Sequence, residues 1–456
     1  MLSFLLRKVV WSRLFFCPAP LPESLLSPLS AHLIRSTVQF RSLHGGSNQV
    51  QKNSLAAPGE IVREALSKPT IFKNEEPLSL EWLPPRLPHR ETQLRFLTEL
   101  FRSVIDKPGT TSPKVLITGE IGTGKTVLTQ RFGMDIQRTA RTLKQNLQYI
   151  HVNCREFRGS LFMILKQVLQ KFTPQFPQRG FSSEELLHIL LDQLETKNLH
   201  IILTLDEADV LIAAEGSTSL YNLTRIQEER PGRPIRLSLI VVLREIEKLQ
   251  DLDRSTQSTL QRNLIRLDRY SASQLESILR ERVELAFKEG TISEQVVDFV
   301  ADMAAPAGDA RYAIELVWRA GKYADTEGSR EVRAEHVRAA AQSVYPVMRT
   351  DYAQHLNLHE KLLLLGLART LERTQETYAS MGESEIAYKM ACEEYKEQFR
   401  AHTQVWKYVQ NLSATGIVST QPSTAGFRGK TTLLGLPTAP ASAIRRWLES
   451  SLVRRP

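Results

Sequence analysis

Lys114-Val-Leu-Ile-Thr-Gly-Glu-Ile-Gly-Thr-Gly-Lys-Thr126 is the stretch whose reading decides the fold class. Its first five residues form an apolar, β-rich run, and a helical pattern opens at Thr126. Between them, Gly119, Gly124, Lys125 and Thr126 complete the GxxxxGK[ST] pattern. Strand, glycine-bearing loop and helix in that order make a phosphate-binding loop. The glycines let backbone wrap round a phosphate, with N–H groups and a helix N-terminus aimed at its charge. Gly119, Gly122, Thr123, Gly124, Lys125, Thr126 and Val127 are the expected nucleotide contacts. Lys125 is expected to reach the β- and γ-phosphates of ATP, and the Thr126 hydroxyl to ligate Mg²⁺.

Further along, Ile201-Ile-Leu-Thr-Leu-Asp-Glu-Ala-Asp209 is an apolar strand ending in carboxylates. Asp206 is the expected Mg²⁺ partner through water, and Glu207 the group that polarises the attacking water. Apolar runs at 114–118, 147–153, 199–205, 236–243 and 263–267 alternate with amphipathic helical stretches. That alternation predicts a parallel sheet covered on both faces, an α/β domain over 61–270.

After Tyr270 the strands stop. Residues 271–345 read as helices only, broken at Gly290, Pro306-Ala-Gly308 and Gly328, and form a helical lid. There Gly308-Asp-Ala-Arg311 sets an arginine at a helix start, where it can fold over the sheet onto a γ-phosphate. Residues 346–456 show three helical segments, near 352–374, 381–398 and 400–413, and then a β-rich tail with a turn at 421–429. Three helices followed by a hairpin is the order of a winged-helix domain.

The 456 residues carry a net charge of +9, which favours a polyanionic partner. Cys17, Cys154 and Cys392 stand far apart without a CxxC pair, which argues against a zinc site or disulfide framework. No apolar run reaches the roughly 18 residues of a spanning helix. The first 53 residues hold Arg7, Lys8, Arg13, Arg35, Arg41 and Lys52 against the single acid Glu23. Residues 1–60 therefore read as a disordered leader or a mis-assigned start, with the composition of a mitochondrial transit peptide as the other reading.

Basic residues gather again at the C-terminus: Arg400, Lys407, Arg428, Lys430, Arg445, Arg446, Arg454 and Arg455 against Glu449 alone. Val405, Val409 and Leu412 make a buried stripe on the third helix of that domain. His402, Thr403, Gln404 and Lys407 take the opposite face, suited to phosphates or base edges. Arg428 and Lys430 flank the glycines of the expected wing tip, placed to grip a DNA backbone.

From about Ile71 to Leu452 the chain resembles the archaeal origin-recognition/Cdc initiator family of AAA+ ATPases. The resemblance rests on the two nucleotide motifs and on separate stretches: Ile71-Phe-Lys-Asn-Glu-Glu76, Leu87-Pro-His-Arg-Glu-Thr-Gln93, His151-Val-Asn-Cys-Arg155, Leu220-Tyr-Asn-Leu-Thr-Arg225 and Gly308-Asp-Ala-Arg-Tyr-Ala313. It implies an AAA+ αβα domain, a helical lid, and a winged helix that binds double-stranded origin DNA. It also implies recruitment of the MCM replicative helicase, possible pairing with other initiator paralogues, and a place in the cytoplasm at the nucleoid. Pro88 and His89 would line the base pocket, and Tyr270 and Arg282 would contact nucleotide from the lid entry. Arg179, in Arg179-Gly-Phe181, falls in the family's DNA-touching insertion.

Two stretches depart from the family pattern. Leu243-Arg-Glu245 stands where many members have a sensor Asn, and Arg254 is shifted by one from the position of an arginine acting in trans. These changes point to secure ATP binding with slow hydrolysis. They also keep open a second reading, a regulator or transposition-type ATPase that does not mark origins. A mitochondrial ATPase is the third, resting only on the leader.

Overall fold

A computed structural model describes residues 62–63, 66–176, 180–225, 230–344, 356–423, 431–437 and 439–452. The leader to residue 61, Arg179, Arg428 and Lys430 lie outside the described residues.

The nucleotide-motif region begins with α1 (Glu91–Asp106), β1 (Lys114–Gly119) and α2 (Lys125–Thr142). It continues through β2 (Leu147–Asn153), α3 (Leu161–Phe172), α4 (Ser183–Thr196) and β3 (His200–Asp206). Then come α5 (Asp209–Glu215), α6 (Thr218–Arg225), β4 (Leu237–Leu243), α7 (Arg254–Gln261) and β5 (Leu264–Leu267). The strands lie in the order β2-β3-β4-β1-β5, every pair parallel. Every residue of β3 and β4 is buried, which is why both read as continuous apolar runs rather than alternating ones. One face packs on α3, α4 and α5 through Leu165, Leu190 and Leu211. The other packs on α1 and α2 through Phe101 and Phe132, whose rings are 5.1 Å apart. All strands pointing one way brings the C-terminal ends of β1, β3 and β4 to one edge of the sheet, where such folds bind ligands.

Helices α8 (Ala272–Ala286), α9 (Glu294–Ala304), α10 (Ala310–Glu327) and α11 (Ala334–Val344) share a second core. Ile71, Phe72 and Leu78 belong to this core. The chain before the sheet thus straps the lid: Lys73 N–H donates to the Ala286 carbonyl at 2.7 Å, and Phe72 meets Phe287 at 4.6 Å.

The third core is built by α12 (Leu358–Thr374), β6 (Ala379–Ser380), α13 (Met381–Glu394) and α14 (His402–Ala414). A hairpin of β7 (Ser419–Pro422) and β8 (Thr432–Gly435) follows, β8 pairing antiparallel with both β6 and β7. The expected β-rich tail holds this strand pair and also a helix. The last described element is α15 (Ala441–Leu452), whose Ala441, Ile444, Leu448 and Leu452 make a buried helical stripe. The Gly- and Pro-rich lead-in masked that periodicity in the sequence.

Buried Arg338 on α11 joins the lid to this last unit. It donates to the carbonyls of Thr377 (2.9 Å), Glu376 (3.1 Å) and Leu436 (3.2 Å) and pairs with Glu335 at 3.2 Å. Beside it, the Tyr378 hydroxyl donates to Asp302 at 2.6 Å.

Candidate nucleotide-binding site

The phosphate loop follows β1 directly, and its shape needs its glycines. Gly122 and Gly124 have φ of 77° and 89°, a region that costs an L side chain energy. A Cβ on Gly122 would also collide with Asp309, the N-cap of α10. Lys125 Nζ donates to the carbonyls of Gly119 (2.5 Å) and Glu120 (2.6 Å). Burial holds its ammonium pKa below the usual lysine value. Buried Thr123 donates its hydroxyl to Glu120 O, and Val127 lines the cavity beyond the loop.

Thr126 Oγ1 donates to Asp206 Oδ2 at 2.7 Å, so the first turn of α2 and the end of β3 meet. His151 on β2 approaches the same Asp206 oxygen at 3.4 Å. Burial pushes the Asp206 pKa up, but the His151 and Thr126 bonds outweigh it and the carboxyl stays ionised below its usual range. A hydroxyl and a carboxylate side by side at a phosphate loop are hard oxygen donors, which fits Mg²⁺.

Glu207, next in the chain, accepts from Arg155 Nε at 2.6 Å and from Arg244 Nη2. Arg244 stands at the end of β4, in the place the resemblance reserved for a sensor Asn. Arg311, the second residue of α10, lines the same small cleft as Lys125, Thr126, Asp206, Glu207 and Arg244. Arg254 is exposed at the first position of α7, whose N-cap Asp253 accepts from Ser255 and Thr256.

A cavity of about 310 Å³ adjoins the phosphate loop, walled by Trp82, Pro88, Val127, Tyr270, Ile278 and Arg282, among others. Its size and apolar walls suit a nucleoside base. Pro88 and Tyr270, which the resemblance implied beside the nucleotide, both line this cavity. Arg282 lies in the wall, buried, donating to the Pro77 carbonyl and stacked 4.4 Å from the Trp82 ring. His89 is corrected: it is exposed in a left-handed turn with φ 65° and does not line the cavity. Its neighbour Arg90 turns inward instead. Arg90 Nη2 donates to the carbonyls of Thr123 (3.0 Å) and Asp268 (2.8 Å), and its guanidinium sits 4.1 Å from the Tyr270 ring centre. Sequence reasoning missed Arg90, Trp82 and Asp309, although each stands within one to six residues of a residue or motif it had picked.

On the last unit, α14 exposes His402, Thr403 and Lys407 and half-buries Gln404, while Val405, Val409 and Leu412 face inward. His402 Nδ1 lies 3.2 Å from Glu385. Basic residues of the tail are engaged within the fold, Arg446 by donating to the Ser442 carbonyl at 3.3 Å. Arg400 Nε donates to His359 at 3.1 Å, and Arg445 pairs with Glu372 at 2.6 Å and Glu449 at 3.2 Å.

Three family models match the chain. An AAA domain matches residues 110–250, a Cdc6 AAA+ ATPase-type lid domain 276–342, and a CDC6 C-terminal winged helix domain 351–445. The ORC1-type DNA replication protein 2 of Sulfolobus acidocaldarius is 35% identical over 385 residues, covering 83% of this chain and 92% of that protein. Its counterpart in Sulfurisphaera tokodaii is 34% identical over the same length. Among solved structures, Cdc6p from Pyrobaculum aerophilum aligns over 84% of this chain and 99% of its own, with TM-score 0.77 and 29% identity. The Aeropyrum pernix ORC1 protein in complex with DNA aligns over 84% of this chain and 98% of its own, with TM-score 0.55 and 29% identity.

Proposed function

The chain belongs to the ORC1/Cdc6-type family of DNA replication proteins, AAA+ ATPases with a Cdc6 lid and a C-terminal winged helix, and from that premise we propose that it is an ATP-switched initiator that binds double-stranded origin DNA and recruits the MCM helicase.

ATP lies with its base in the Trp82–Tyr270 cavity and its phosphates on residues 119–126. Thr126 and Asp206 hold Mg²⁺, which offsets phosphate charge when bound. Lys125 and Arg311 meet the outer phosphates, and Glu207 orients the attacking water. The DNA contacts are Thr403, Gln404, Lys407 and His402 on α14, with Arg179, Arg428 and Lys430 added from the sequence reading alone. Phosphate contacts supply most of the affinity and a few groove contacts the sequence choice. The division into 61–270, 271–345 and 346–456 is part of this reading, supported by a separate core in the lid and another in the last unit.

One observation carries the switch. The N–H of Ala310 donates to the Gly122 carbonyl at 3.2 Å, so the third lid helix, α10, starts against the phosphate loop. Because Arg338 bonds that lid to the winged-helix unit, a change at the phosphates has a bonded route to the DNA-binding face.

The test is affinity for a duplex from a replication start, measured with ATP and with ADP across a salt series. Different affinities in the two nucleotide states are expected, and equal ones reject the switch. Arg428→Ala with Lys430→Ala should weaken binding to all sequences and flatten the salt slope by about 2. Origin marking is tested by genome-wide occupancy: peaks away from replication starts favour the regulator reading.

A further inference from the structure

Arg400 is exposed in the turn before α14, two residues ahead of His402. Other arginines of this unit give their charge to acids: Arg369 pairs with Glu394 and Glu449, and Arg445 with Glu372 and Glu449. Arg400 does not. Its Nε donates to Nε2 of His359 at 3.1 Å, and no ion pair to it is found among the described residues.

Arginine can only donate, so the imidazole presents an unprotonated Nε2 and carries its one proton on Nδ1. Nδ1 meets the Tyr388 hydroxyl at 2.9 Å, and the same hydroxyl accepts the Arg400 backbone N–H at 3.2 Å. His359 and Tyr388 are both buried, and the His359 ring stacks on Tyr408 of α14 with 5° between the planes. One rigid pair, from α12 and α13, therefore holds Arg400 at backbone and side chain together. Burial, and then the Arg400 charge, keep the His359 pKa below its usual value against the pull of Glu397. The ring stays neutral and able to accept.

Spending Nε inward leaves the two Nη groups, an edge of the fork that grips oxyanions in parallel bonds. The fixed direction also spends in advance the rotamer freedom that a long cation otherwise loses on binding. An uncompensated charge, aimed by a neutral ring at the leading end of α14, suits a backbone phosphate beside that helix.

We infer that Arg400 is a DNA phosphate contact and that His359 is the positioning residue that aims it. The inference rests on the reading of α14 as the DNA-facing helix.

The experiment measures the affinity of full-length protein for a DNA duplex across a salt series, with Lys407→Ala as the reference variant. Arg400→Ala should weaken binding to every sequence about tenfold and flatten the salt slope by about 1. His359→Phe keeps a ring on Tyr408 but cannot accept, and should cost about threefold. His359→Gln, whose amide oxygen can accept, should recover most of that loss. Adding His359→Phe to Arg400→Ala should cost nothing more, because the residue it aims is gone. A loss in His359→Phe that persists without Arg400, or that Gln does not recover, overturns the positioning role. If Lys407→Ala weakens binding and Arg400→Ala does not, the phosphate contact is refuted and the reading of α14 stands. If neither variant changes affinity or slope, that reading falls and the inference falls with it.

Discussion

Gly122 and Asp309 touch across the junction of phosphate loop and lid, the glycine hydrogen facing the carboxylate that caps α10. The same carboxylate accepts the backbone N–H groups of Arg311 (2.8 Å) and Tyr312 (3.2 Å). One side chain therefore both starts the helix that presents Arg311 and sets how closely the lid lies on the loop.

Gly122→Ala should leave the sheet domain folded but force loop and lid apart, since the methyl group needs the space Asp309 fills and φ 77° disfavours it. Nucleotide should be retained poorly through purification. Chromatography of the released nucleotide checks this, and an occupancy equal to wild type would show that the contact is dispensable.

Lys125→Ala removes the only side-chain ammonium among residues 119–126. Taking roughly 3 kcal/mol for a hydrogen bond to a charged group, affinity for ADP should fall about a hundredfold. Titration with a fluorescent analogue measures it. A variant that co-purifies with as much ADP as wild type would remove the loop from the binding site.

Arg338→Ala should uncouple the winged-helix unit from the lid. It removes the donor to the buried Thr377 and Leu436 carbonyls, to the Glu376 carbonyl and to Glu335, a loss of about 3–5 kcal/mol by analogy with broken buried pairs. Arg338→Lys should rescue little, because an ammonium cannot reproduce the planar fork. Limited proteolysis should cut first between lid and winged helix; an unchanged cleavage pattern contradicts the coupling.

His200 gives a pH signature. Burial, helped by the nearby Arg236 charge, lowers its pKa to about 4, with Nε2 against the Ser238 hydroxyl at 2.9 Å. The unfolded chain takes up this proton below the usual value of 6.5 while the folded chain does not. Stability should therefore fall as pH drops through that window, by an amount of order 2 kcal/mol between neutrality and about pH 4.5. Urea denaturation of His200→Gln should show a shallower pH dependence; an equal slope would assign the loss to other groups.

Much of this was legible from residue order. The five strands fall within one residue of their expected bounds, since each is an apolar run too short for a helix and bracketed by turn residues. Tyr270 and Pro88, which line the cavity, could be singled out because they lie in contiguous motifs. His89 could not be told from Arg90, because adjacent residues in a turn face opposite ways and only the φ of the turn decides which enters. Arg445 read as one of a string of basic residues and His402 as a DNA-facing side chain, yet their acidic partners, Glu372 and Glu385, come from other helices.

The sequence by itself determined the phosphate loop, the paired carboxylates after β3, the parallel α/β sheet and the winged-helix order. Each of these is written in local spacing, which backbone chemistry converts directly into strand, turn or helix. Tertiary structure alone decided what those residues touch. Arg155 and Arg244 converge on Glu207 only because β2 and β4 flank β3 in the sheet, an adjacency set by packing and not by proximity in the chain. Arg90 braces the loop, and Arg338 ties lid to winged helix, for the same reason. Long-range neighbours are chosen by which apolar faces must be buried together, and no local pattern records that choice.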